Sequence, residues 1–261
     1  MYQPSVDDAE QTAMTRLKPQ LSEHVDLVNE GFHLIGTLVS FIPETTLGDM
    51  SKSLVAAIRL LLRLSNDLLC IEILAIRGYP LQCLTLASAA YEAAYTIGYI
   101  GDDDILGQEW LAHRNPTNSF RGVWDLTQQA ITKLGVPSVD EQTAIEYRVY
   151  SQLCMAKYIN PILERNQGVT RVGEKLVATN GPDTSEEAVR AMWFALEHLA
   201  GFVLVALSSF FMHHFHRYVS SDIQEDARSQ LEQLGEKRKE LEAKAVSRWG
   251  TIDAFAGEWR T

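Results

Sequence analysis

Apolar residues recur at helical intervals along almost the whole chain, and polar ones fall into thin seams between them. The clearest stretch runs from Pro80 to Gly101, PLQCLTLASAAYEAAYTIGYIG. It is apolar on every side except one seam formed by Thr85, Ser88, Glu92, Thr96 and Tyr99, whose steps of three and four put them on one helical face. A helix with so little polar surface belongs inside a bundle. The spacing therefore predicts an all-α protein, a single-domain antiparallel helical bundle of long helices.

The other segments follow the same logic. Residues 1–18 read as a polar, loosely ordered segment, with room for a short helix around Asp7 to Lys18. Leu21, Val25, Val28, Phe32, Ile35 and Val39 hold one face of a helix from Gln20 to Ile42, which Pro43 stops. A long helix from Thr46 to Arg77 has Leu54, Ile58, Leu61, Leu62, Leu68, Leu69, Ile73 and Ile76 as its expected core face. Gly78-Tyr79-Pro80 is a short connection of the kind that joins antiparallel helices. Asp102 to Asp104 open a shorter helix ending near His113, and Phe120 to Leu134 form another. Ser138-Val-Asp-Glu141 is a capping box for a helix to about Asn160. Residues 168–182 alternate loosely and carry Asn180-Gly181, so a small irregular or hairpin insertion is expected there. Asp183-Thr-Ser-Glu186 caps the most apolar helix, and a charged helix from Ser221 to Trp249 follows. The expected layout is a loose segment at 1–18, a bundle at 19–220, and a charged C-terminal helix and tail at 221–261, with Phe255 and Trp259 as anchors.

Candidate chemistry lies in the seams. A carboxylate in an apolar interior must be paired, hydrogen-bonded or protonated. Glu92 therefore requires a partner, and an antiparallel pairing around Gly78 sets it level with Arg63 and Asn66. Arg63 also stands four residues before Asp67, within ion-pair reach on the same helix. Tyr147, Arg148, Tyr150, Lys157 and Tyr158 crowd a later helix, with Tyr150 and Tyr158 as further binding candidates. The loop HRNPTNSFRG, from His113 to Gly122, has the composition of a binding loop and equally that of a helix connector. Glu30 and His33 form the one Glu-x-x-His, where a di-metal bundle needs two, and His213, His214 and His216 sit where a helix dipole favours histidine. Neither group predicts a metal site, and no cofactor is expected.

Charge narrows the classes. A net charge of −11 and a pI near 5.1 make nucleic acid an unlikely partner and disfavour anionic membranes. Cys70, Cys83 and Cys154 match no metal spacing and read as reduced thiols of a cytoplasmic protein. The polar, acidic first residues do not resemble a signal peptide. Leu199 to Met212 is too short to span a bilayer, and Pro80 to Gly101 is interrupted by Glu92. The charged C-terminal helix has only a thin stripe, Ile223, Ala227, Leu231, Leu234, Leu241 and Ala245; too polar to form core, it is expected to contribute to a homo-oligomer.

The order of these features resembles an uncharacterised all-helical bacterial family of unknown function. That family carries Leu-x-Arg-x-x-x-Glu and later Tyr-x-x-Leu-Ser-x-x-x-His; here Leu86 to Glu92 and Tyr150 to Tyr158 stand in those places, with Ser88 for the arginine and Tyr158 for the histidine. It is distantly similar to HEPN domains of toxin and phage-defence systems, some of which are metal-independent ribonucleases. Their signature, arginine or asparagine followed after four to six residues by histidine, has no match: Arg190 to His198 has seven residues between, Asn29 to His33 three. The resemblance implies the helical fold and a bacterial defence or regulatory setting. Two functional readings stand. One is a non-enzymatic interaction or sensing module with a protein partner; the other is a nuclease-like or hydrolytic enzyme using Glu92, His113, Arg114 and Arg148 or Tyr158.

Overall fold

The structure, a computed structural model, describes residues 5–42, 49–114, 120–157, 181–251 and 253, and the backbone of 169–172 and 175–178. Tyr158, Phe255 and Trp259 lie outside the described residues.

The first helix, α1, spans Val6–Ser40 and starts where Ser5 accepts a hydrogen bond from the Asp8 backbone. It is continuous through Pro19, so the loosely ordered segment expected at 1–18 is instead helical from Val6 onward. Tertiary burial outweighs the hydrogen bond that Pro19 cannot make. Ala13, Leu17, Leu21, His24, Val28, Gly31, Ile35 and Leu38 form one unbroken buried stripe across it. Glu10 adds a tie, accepting from Arg77 at 2.9 Å and from the Tyr79 hydroxyl at 2.8 Å.

Helix α2, Lys52–Arg77, is capped by Ser51 and ends on Gly78, whose φ of 86° is the left-handed conformation that glycine adopts without strain. Its carbonyl accepts from the Asp183 backbone at 2.8 Å, fastening the corner to the segment before the helix that opens at Glu186. Helix α3, Pro80–Ile100, then runs back along α2. Leu64, Leu68, Ile71 and Ala75 of α2 are fully buried, but Leu62, Leu69 and Ile73 are exposed. The expected core face of α2 was thus too wide: three of its residues point to solvent.

Helices α4 (Asp104–Ala112), α5 (Val123–Lys133) and α6 (Val139–Lys157) follow. Strands β1 (Val169–Val172) and β2 (Lys175–Ala178) form an antiparallel hairpin in which Val169 faces Ala178. Helix α7, Glu186–His213, is buried over most of its length, and α8 covers Ser221–Trp249. Around α3 stand α2, α5, α6 and α7, while α1 packs on α2 and α7 and α8 packs on α7 and α1. One hydrophobic core runs from Ala13 to Leu241. The stretch 186–217 has the length and apolarity of a membrane span, yet 78% of its most apolar window is buried in the bundle.

The thin stripe of α8 is covered within the same chain. Ala227, Leu234 and Leu241 are buried, and Ile223, Leu231 and Ala245 touch the core. Around them Lys237 meets Glu30, Lys244 meets Glu23 and Arg248 meets Glu186. This stripe therefore supplies no argument for a second copy.

Candidate functional site

Glu92 sits on the side of α3 that faces α6, one residue beyond the buried Tyr91. Its carboxylate accepts the Tyr150 hydroxyl at 2.8 Å and lies 3.6 Å from the Lys157 ammonium. The side chain keeps 30% of its surface exposed, so it is a boundary group and not a sealed one. The partner expected from α2 is corrected. Arg63 pairs with Asp67 of its own helix at 3.0 Å, and Asn66 is exposed. Pairing around the Gly78 turn fixed the height of Glu92 but not its azimuth. Thr85, Ser88 and Thr96 turn back on carbonyls of their own helix, while the carboxylate, with Ser88 beside Cys154, links the seam to α6.

Tyr150 and Cys154 complete this patch. Burial pushes the Tyr150 hydroxyl well above its usual range, with hydrogen bonding to Cys154 and Glu92 acting in the same direction. Burial also raises the Cys154 thiol, so it is a poor nucleophile at neutral pH. From Tyr150 a run of rings crosses the interface. Tyr95 and Tyr91 lie 4.3 Å apart, Tyr91 and Tyr150 5.0 Å, Tyr150 and Tyr147 6.1 Å, and Tyr147 and Trp124 5.3 Å. Tyr91 and Tyr95 are buried and Tyr150 is half-buried, while Tyr147 and Trp124 are 38% and 40% exposed. The outcome is an aromatic shelf on α5 and α6 beside one carboxylate and one ammonium. Among the expected residues, Glu92 and Tyr150 come together here.

His113, Arg114 and Arg148 have other settings. The His113 ring meets Phe120 edge-on at 5.9 Å, and Phe120 meets Tyr99 at 6.0 Å. Tyr99 is seven residues beyond Glu92, roughly 10 Å along the helix axis. Arg114 donates to the carbonyls of Leu111 and His113, closing the end of α4. Arg148 is exposed. Arg121, from the same loop, bridges Tyr99 and Glu109. Among the contacts described, none joins Glu92 to His113, Arg114 or Arg148.

Glu30 is held by Lys237, and His33 stands edge-on to Phe32. In the histidine cluster, His214 donates through Nε2 to the Gly101 carbonyl at 3.0 Å, while Lys133 donates to the carbonyls of Tyr99 and Ile100. These cations and donors thus serve the C-terminus of α3, not that of their own helix. Among the described residues no three His, Cys, Asp or Glu side chains converge as a metal site.

Two polar groupings went unread in the sequence. Glu197, inside α7, is almost fully buried and meets His198 and Arg238 at 2.6 Å each. Burial pushes its carboxyl up, but the attraction of His198 and Arg238 outweighs this and holds it at about 2. Beside it, His24, Arg190, Trp193, Phe194, Ala245 and Trp249 enclose a water-sized void with Glu197. The Gln20 carbonyl accepts from the Trp193 indole, so this region ties α1 to α7. The buried stripe of α1 around His24 was the available signal; the α8 contribution was not visible from spacing.

No family model, curated protein or solved structure matches the chain.

Proposed function

We propose that the protein is a non-enzymatic helical interaction or sensing module whose contact surface is the shelf of Trp124, Tyr147 and Tyr150 beside Glu92. One observation carries this reading. The carboxylate that would serve as acid or base is engaged by Tyr150 and Lys157, while His113, Arg114 and Arg148 stand elsewhere. General acid–base chemistry needs its groups within hydrogen-bond reach of one reacting atom. Exposed tyrosine and tryptophan are what contact surfaces are enriched in, because they offer large area with few torsions to freeze. A cytoplasmic setting accords with three free cysteines, one of them exposed Cys70. The bacterial defence or regulatory context belongs to this proposal through the family resemblance.

The test has two arms. Purified protein is incubated with single-stranded and duplex RNA and DNA, and no cleavage above buffer is expected. Cleavage by the wild type that Glu92→Gln abolishes would overturn the reading. In cells, a photo-crosslinking residue replacing Tyr147 should capture a discrete partner that the same residue replacing Glu225, an exposed position on α8, does not.

A further inference from the structure

The solvent face of α2 repeats with a heptad period. Leu62, Asn66, Leu69, Ile73 and Ile76 follow one another at steps of four, three, four and three. Leu62, Leu69 and Ile73 are 52%, 37% and 49% exposed, Asn66 is exposed and Ile76 is half-buried. On the opposite side Leu64, Leu68, Ile71 and Ala75 are sunk in the core, so the helix cannot rotate to hide the outer stripe. Ordinary surface helices show charged residues there.

In heptad terms, Leu62, Leu69 and Ile76 occupy d positions, and Asn66 and Ile73 occupy a positions. β-Branched residues at a with leucine at d favour two parallel strands, and a single asparagine at a fixes register and strand number. The flanks agree. Glu72 falls at g and Arg77 at the e position five residues on, the pair that faces across a parallel two-stranded seam. Arg77 already meets Glu10 and keeps 46% of its side chain exposed, leaving room for a second carboxylate. The other g-to-e pairs, Ile58 with Arg63 and Ser65 with Cys70, bring no like charges together. An antiparallel pairing would instead set the Asn66 amide against Leu69 of the second copy.

We infer that a second copy of this chain seats on the outer face of α2, forming a parallel two-helix seam from Leu62 to Ile76 with the two Asn66 side chains paired across the axis. This surface is separate from the α6 shelf, and its test does not depend on that reading. The seam is about 21 Å long. Its area falls at the low end of specific interfaces, below about 1,200 Å², so association in the micromolar range is expected.

Sedimentation velocity from about 1 µM to 1 mM should show a monomer–dimer equilibrium across the micromolar range expected for so small a seam. Leu69→Lys/Ile73→Lys, two exposed changes, should leave the helical circular dichroism intact and weaken the dimer at least tenfold. Asn66→Cys in a Cys70→Ser background should form an intermolecular disulfide under mild oxidation, because facing a positions lie within disulfide reach only in the parallel arrangement. A Gln230→Cys control on α8 should not. A chain that stays monomeric to 1 mM, a dimer that survives the double lysine variant, or an Asn66→Cys protein that crosslinks no faster than the control each overturns the inference.

Discussion

Arg238 of α8 reaches across to α7 and donates through Nε to the Glu197 carboxylate at 2.6 Å, with its guanidinium seated over Gly201. Glu197 and Gly201 are one helical turn apart, so a buried acid and the space for its counter-ion are built into the same face of α7.

Removing Arg238 leaves a buried carboxylate with His198 as its remaining partner. Arg238→Met should destabilise the protein by about 2 kcal/mol, below the range for fully enclosed pairs because part of the arginine is exposed. Adding Glu197→Gln should recover part of that loss. Urea denaturation of the two variants and the wild type checks both statements.

Gly201→Ala gives a sign test. A Cβ at this position would lie 2.9 Å from Arg238 Cζ, forcing the guanidinium aside. The same change should gain about 1 kcal/mol of helix propensity where no arginine stands over it. The substitution is therefore expected to destabilise the wild type and to stabilise Arg238→Met, which a double-mutant cycle measures directly.

Acid sensitivity should come in two stages. His24 and His214 are buried, and burial lowers each to about 4 from the ordinary 6.5. The unfolded chain then binds protons more readily than the folded one, so stability present above pH 6.5 is lost as pH falls through about 4. The expected slope is about 1 kcal/mol per pH unit for each histidine. Glu197, held at about 2, adds a second loss between pH 4.5 and 2. Chemical denaturation at several pH values should show His24→Phe reducing the slope of the first stage without abolishing it.

The early part of α1 belongs to the core. Leu17→Ala should cost about 3 kcal/mol by cavity formation, whereas Val6→Ala, at an exposed position, should cost almost nothing. Equal and negligible effects in thermal melts would return this segment to a loosely attached arm.

Periodicity showed the bundle and the centrality of α3 because burial writes itself into spacing of three and four; for 168–182 it left an irregular insertion and a hairpin both open. It could not show which neighbour each face meets. Glu92 was recognised as needing a partner, yet Tyr150 and Lys157 answer it from α6, and Arg63 answers Asp67. The start of α1 was hidden because residues 1–18 are mostly polar, and the few apolar positions that the bundle buries there, Ala13 and Leu17, are too sparse to show a face. On α2 the apolar band was wider than one core face, and the excess, Leu62, Leu69 and Ile73, became visible only as exposed area. Glu197 and Arg238 escaped notice because they stand forty-one positions apart on different helices.

The first and last helices run in opposite directions along each other, with Gln20 beside Arg248, Glu23 beside Lys244 and Glu30 beside Lys237. A ribosome making this chain releases α1 long before its counterpart exists. At ordinary synthesis rates the flank of α1 around His24 waits on the order of ten seconds or more for α8 to emerge. Over that interval a nascent bundle missing its closing helix is the species that chaperones and proteases would meet.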